Sequence, residues 1–227
     1  MHTKTRFFAN AALASAITLG LASQAAAQQD WDAINEETLR HFRALLQFDT
    51  SDPPGRELPA AEYLRDVLEA EGFEVEMLAN NDERPNVVTR LKGNGSKEPL
   101  LIMAHTDTVN VDPAKWTFPP FSATVDGGYV YGRGAVDDKD NLAAGLMVML
   151  ELKRQGIKLD RDVIFLAESG EEGATEFGIE FMINEHFDKI ESEFCLAEGG
   201  SVARVNREVQ YAGIQSVEKI PYQINLT

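Results

Sequence analysis

Cysteine is almost absent from this 227-residue chain: Cys195 is the only one. A single thiol cannot build a disulfide framework. Cys195 lies inside the apolar run EFCLAE with no histidine close in sequence, so the expectation is a buried, inert thiol and not a catalytic nucleophile. Positive charge is also scarce, with 21 Lys and Arg against 37 Asp and Glu, a net charge of −16. Such a surface repels nucleic acid. The Gly-x-Ser-x-Gly elbow of serine hydrolases is missing, and GRGAVD lacks the third glycine of a dinucleotide-binding fingerprint. Outside an alanine-rich leader there is no internal repeat or low-complexity stretch.

That leader is the first feature present. MHTKTRFFANAALASAITLGLASQAAAQQ has a basic start at Lys4 and Arg6, an apolar middle from Ala11 to Leu21, and small residues at Ala25, Ala26 and Ala27. This pattern predicts a secretory signal peptide cleaved after Ala27, and so a periplasmic or secreted protein. The apolar middle is too short to span a bilayer. Cleavage removes two bases and no acid, which leaves the remainder more negative still.

The rest of the chain alternates between helical and extended patterns. DAINEETLRHFRALLQF repeats apolar residues at helical spacing through Leu39, Phe42, Leu45 and Leu46, and AAEYLRDVLEAEGF does so through Leu64, Val67 and Leu68. Both predict amphipathic surface helices. FEVEML and NVVTRL alternate in part, and PLLIMAH is a continuous apolar run of the kind found in interior strands. DNLAAGLMVMLELKRQG sets Leu142, Leu146, Met149 and Leu150 on one helical face. DVIFLAES and EFCLAE predict two more buried strands, with the helical stretch TEFGIEFMINEHF between them. This order predicts an α/β fold with a largely parallel central sheet and helices on both faces.

The residues after the buried runs carry the chemistry. PLLIMA is followed by His105 and Asp107, DVIFLAES by Glu171 and Glu172, and FCLA by Glu198. In open α/β sheets the site lies at the carboxyl ends of the strands, so these groups should converge on one edge. Asp137 joins them, because GYVYGRG predicts a short strand and turn leading to the start of the next helix. Singly, each motif has an ordinary structural reading: a helix-start acid, a solvated Glu pair, a loop residue. Together, four or five acids and one histidine require a counter-charge, which a divalent metal supplies.

LLIMAHTDTV, WTFPPFSATVDGGYVYGRGAVDDK, ESGEEGATEFG and CLAEGG resemble, in order and spacing, the successive motifs of one superfamily of co-catalytic zinc hydrolases. It contains acetylornithine deacetylase, succinyl-diaminopimelate desuccinylase, aminoacylase and carboxypeptidase G. The resemblance implies two divalent metal ions, zinc by preference, acting on a small peptide or N-acyl amino acid. It makes Asp137 the carboxylate bridging both ions, His105 and Glu198 ligands of one, and Glu172 a ligand of the other. Asp107 would orient the His105 imidazole, and Glu171 would be the general base that takes a proton from the metal-bound water. The family also tends to a cis bond at the position of Asp137-Asp138.

The resemblance sets further expectations. Residues 1–27 are the signal peptide and 28–213 the N-terminal part of a catalytic domain. Residues 214–227, with VEKIPYQINLT, open a lid domain that mediates pairing in dimeric members, giving a possible homodimer. A further histidine ligand of the family has no counterpart here, since His41 and His186 are expected at the surface. A catalytically silent metal-binding module is therefore the alternative to an enzyme.

Overall fold

The computed structural model of the chain describes residues 29–213; the predicted signal peptide and the whole of the predicted lid segment lie outside the described residues. In order the elements are α1 (Trp31–Leu46), β1 (Ser51–Asp52), α2 (Leu58–Ala70), β2 (Val75–Leu78), β3 (Asn86–Leu91), β4 (Leu100–His105) and β5 (Thr108–Val109). Then follow β6 (Thr124–Asp126), β7 (Tyr129–Tyr131), α3 (Lys139–Arg154), β8 (Val163–Glu168), α4 (Ile179–Glu185) and α5 (Phe187–Ile190). β9 (Phe194–Leu196), β10 (Ser201–Val205) and β11 (Glu208–Gly213) end the series. Among the described residues, no helix is long and apolar enough to cross a membrane.

Five strands form the central sheet in the order β2-β3-β8-β4-β9. β4 pairs in parallel with β8 and β9, while β3 runs antiparallel to both β2 and β8. Four of the five strands thus point the same way, with β3 alone reversed. β8 has a strand on each side and a helical layer over each face, so all six of its residues are buried. On one face Val87, Ala104, Val163, Phe165 and Ala167 pack with Leu45 of α1, Leu64 and Leu68 of α2, and the α3 residues Leu142, Leu146, Met149 and Leu150. On the other, Val88, Leu101, Ile164 and Leu166 meet Phe181 and Met182 of α4 and Ile190 of α5. The helices therefore cover both faces.

Several local expectations are corrected. β9 is not a buried strand: within the described residues it pairs only with β4, and its Phe194 and Leu196 are exposed. Cys195 on it is exposed as well, since the described helices do not pack over this edge of the sheet as they do over β8. His41 is buried and not at the surface, because its Nδ1 lies 2.7 Å from the Tyr63 hydroxyl across the α1–α2 contact. His186 ends α4 half-buried, its ring edge-on to Phe181 at 4.9 Å. In TEFGIEFMINEHF the helix begins only at Ile179.

A charge cluster ties three helices together at one end of the molecule. Arg154, in the last turn of α3, bonds Glu37 of α1 at 2.7 Å and 3.1 Å, Glu71 after α2, and Glu151 at 3.2 Å. The Arg154 hydrogen bond is the chief reason that the Glu37 carboxyl titrates near 2. A lowered carboxyl pKa contributes stability above its unfolded value, and that contribution disappears as pH falls from 4.5 toward 2. The pair is partly solvated, so its share is about 1 kcal/mol or less. Arg154→Ala is accordingly expected to lower the thermal midpoint slightly at pH 6 and to converge with wild type near pH 2. A pH series of melts checks this, and a gap that widens toward acid would contradict it.

Candidate active site

The sheet order explains where the chemistry lies. β4 and β8 run in parallel with His105 opposite Glu168 at their carboxyl ends, and β9 delivers Glu198 on the other side of β4. Asp137 comes from the turn after β7. Its peptide bond to Asp138 is cis, in keeping with the resemblance. Asp138 itself is buried and holds the strand end: its Oδ2 accepts the His105 backbone N–H at 3.2 Å, and its Oδ1 accepts Asn141 Nδ2 at 2.5 Å.

His105 is the hub. Its Nε2 lies 2.9 Å from Asp137 Oδ1, 3.6 Å from Glu198 Oε2 and 4.0 Å from Glu171 Oε2. The other ring nitrogen, Nδ1, lies 3.1 Å from the Asp107 carbonyl and 3.3 Å from Asp107 Oδ1. His105 is only 1% exposed, whereas the Asp137 side chain is 62% exposed, so the imidazole looks out from a dry floor onto wet carboxylates. Asp107 is fully buried and does more than face the ring. Its Oδ1 accepts the backbone N–H of Glu171 at 3.1 Å and its Oδ2 that of Glu172 at 3.0 Å.

Among the described residues His105, Asp137 and Glu198 form the group whose donor atoms all lie within 4.8 Å of one another. Glu171 and Glu172 sit beside it, on the turn that Asp107 holds. The five predicted site residues other than His105 thus each lie within 4.0 Å of the His105 ring or of the Asp107 carboxylate. Glu172 makes its link through its backbone, and its carboxyl is pushed up by burial and by the neighbouring Asp137.

The electrostatics describe a site with too much negative charge. Burial alone would lower the His105 pKa, but Asp107, Asp137 and Asp138 outweigh it and raise it to about 10. Burial, with Asp137, Asp138 and Glu171 nearby, pushes Glu198 up to about 7. Glu168 is pushed up to about 8 by burial, with Glu171, Asp107 and Glu198 adding to it. Each shift favours the more positive form, which is what a shortage of cations does to any titratable group. The donor set is imidazole and carboxylate, which suits zinc, so the residues present fit a divalent ion of that kind.

Sequence reasoning passed over three contributors. Glu168 ends the apolar run of β8, is 4% exposed, and its Oε2 has no hydrogen-bond partner among the described residues. A lone acid closing an otherwise apolar strand was the signal for it. Asp138 and Lys139 stand in the DDK of the helix start, and both are fully buried. Lys139 donates to the Phe48 carbonyl at 2.8 Å; burial lowers its pKa to about 8 against the opposing pull of Asp49, Asp107 and Glu57.

Comparison with known proteins places the chain among hydrolases. A deformylase acting on N-formyl-4-amino-5-aminomethyl-2-methylpyrimidine, from Halalkalibacterium halodurans, is 39% identical over 145 residues, which are 62% of this chain and 34% of the deformylase. A probable succinyl-diaminopimelate desuccinylase of Staphylococcus epidermidis is 35% identical over 154 residues, 67% of this chain and 36% of the relative. The chain thus spans about a third of the length of the curated relatives it matches. Among solved structures, an M20 family metallo-carboxypeptidase from Sulfolobus solfataricus superposes with a TM-score of 0.63 at 28% identity, over 73% of this chain and 38% of that one. Residues 101–217, which include His105, Asp107, Asp137, Glu171, Glu172 and Glu198, match the model of one family over just over half of the sequence. With that match over more than half of its length, the chain belongs to peptidase family M20/M25/M40.

Proposed function

We propose that this chain carries the metal-binding and proton-transferring residues of an exported metal-dependent hydrolase that cleaves an amide bond in a small peptide or N-acyl amino acid. The observation that carries the reading is the meeting of His105, Asp137 and Glu198 within 4.8 Å, with the Glu171 carboxylate 4.0 Å from the same imidazole. The names deformylase, desuccinylase and carboxypeptidase borne by similar proteins support a bond between an acyl group and nitrogen as the target. The leader over residues 1–27 supports export. Residues 28–213 are then catalytic domain, and 214–227 begin a lid.

In this reading His105 and Glu198 would hold one zinc ion and Glu172 the other, with Asp137 contributing to both. Zinc so held supplies Lewis-acid activation of water and of the amide carbonyl. The chain's own residues do the rest. Asp107 fixes the His105 ring through Nδ1 and so leaves Nε2 aimed at the ion. Glu171 Oε2 takes a proton from the attacking water and delivers it to the departing nitrogen. Its partial exposure leaves it open to both.

Metal should also hold the fold together, because binding to the native state alone adds stability by mass action. At a zinc concentration about a hundred times Kd the gain is about 2.7 kcal/mol. Chelator-treated chain is therefore expected to melt lower than the same chain with zinc added. Equal midpoints would count against the site, and a zinc-stabilised protein inert toward dipeptides and N-acyl amino acids would be a metal-binding module and not an enzyme.

A further inference from the structure

Resting on the reading of Glu171 and Glu172 as base and ligand, we propose that Arg84 is a positioning residue that fixes the turn carrying both. Arg84 is 3% exposed and stands just before β3, far in sequence from the turn after β8. Its Nε donates to both oxygens of Glu57 at 3.0 Å and 3.1 Å, and its Nη2 to Glu57 Oε1 at 2.6 Å and to Asp52 Oδ2 at 3.0 Å. This locks the guanidinium in place. Above it lies the turn: the guanidinium carbon is 4.8 Å from the Phe177 ring centre, and a Cβ on Gly170 would stand 2.3 Å from the Ala174 carbonyl oxygen and 3.3 Å from Nη2. Gly55 closes the other side, where a Cβ would stand 2.3 Å from the guanidinium. Backbone packs on this group from two directions because neither position has a side chain.

The Arg84 main chain grips the same turn. Its carbonyl accepts the Ser169 hydroxyl at 2.9 Å, and Asn86, two residues on, accepts the Ser169 N–H at 3.1 Å and donates to the Phe177 carbonyl at 2.8 Å. The turn from Ser169 to Phe177 is thus pinned at both ends by the start of β3. Asp107 pins its middle through the amides of Glu171 and Glu172. Gly170, which the guanidinium borders, is joined directly to Glu171, so Arg84 acts on the catalytic acids through the backbone of the turn whose amides Asp107 holds. Lysine cannot replace it, since a single ammonium lacks the fork that spans Glu57 and Asp52 while presenting a flat face to the turn.

The test compares wild type, Arg84→Lys and Arg84→Met as the full 227-residue chain, following amide hydrogen exchange by NMR with and without zinc. Arg84→Lys is expected to speed exchange at the Glu171 and Glu172 amides by about tenfold or more, with the amides of β8 keeping wild-type protection. Zinc uptake should weaken in the same variant. A general loss of structure would instead expose β8 together with the turn. Should Arg84→Met unfold outright, Arg84→Lys decides. Wild-type exchange at both amides in Arg84→Lys would overturn the proposal, as would equal loss across turn and strand. If wild-type chain takes up no zinc yet its turn amides still loosen in Arg84→Lys, the metal reading fails and the positioning role stands.

Discussion

Glu171→Gln, in the longest polypeptide that carries this chain, is expected to keep its zinc and to lose about 10²–10⁴-fold in turnover of a dipeptide or N-acyl amino acid. The side chain sits 4.0 Å from His105 Nε2 and is 39% exposed, close enough to the ligands to serve them and open enough to meet water. An amide of the same shape keeps the packing but cannot accept the proton. Glu172→Gln should behave differently although the two residues are chain neighbours. Glu172 is the residue assigned above as a ligand, so removing its charge should release metal. Elemental analysis beside steady-state rates separates the two. If Glu171→Gln strips metal while Glu172→Gln retains it, the roles are exchanged; full metal and full activity in both would remove the site altogether.

Residues whose environment is set by their own strand or helix were legible. β4 and β8 announce themselves as continuous apolar runs because both faces of each strand are covered, and α3 because Leu142, Leu146, Met149 and Leu150 recur at the helical period. Once parallel strands are inferred, the acids that follow them must share an edge. What depends on partners far along the chain was not legible. FCL reads like a core strand, but periodicity cannot say that among the described residues β9 has β4 on one side only. His41 looks like a surface histidine until Tyr63 arrives from α2, and Arg84 draws on Glu57 and Asp52, 27 and 32 residues away. Glu168 was hidden for the opposite reason, since a single acid at the end of VIFLAE looks like the start of the loop. Its burial follows from the pairing that sets it opposite His105.

Asp107→Asn should have the second large effect, because one carboxylate here serves three donors. Oδ1 accepts the Glu171 amide and lies 3.3 Å from His105 Nδ1, while Oδ2 accepts the Glu172 amide, all without contact with solvent. His105 and the two amides lower the Asp107 pKa against the opposing effect of burial, so the residue is held as an anion. Asparagine has only one acceptor oxygen. If that oxygen stays toward Glu171 and His105, its NH2 group meets the Glu172 N–H donor to donor; if the amide flips, the clash moves to the imidazole side. Either way a buried donor is left without a partner, at a cost of about 1–3 kcal/mol. Loss of the carboxylate behind a metal-binding histidine further weakens metal affinity by about 10–100-fold. Urea unfolding of the metal-free variant measures the first effect and zinc competition against a chromophoric chelator the second. Lower stability with unchanged zinc affinity would restrict Asp107 to holding the Glu171–Glu172 turn. Lower affinity with unchanged stability would restrict it to the ring, and the loss of both is the expected result, since the same two oxygens perform both tasks.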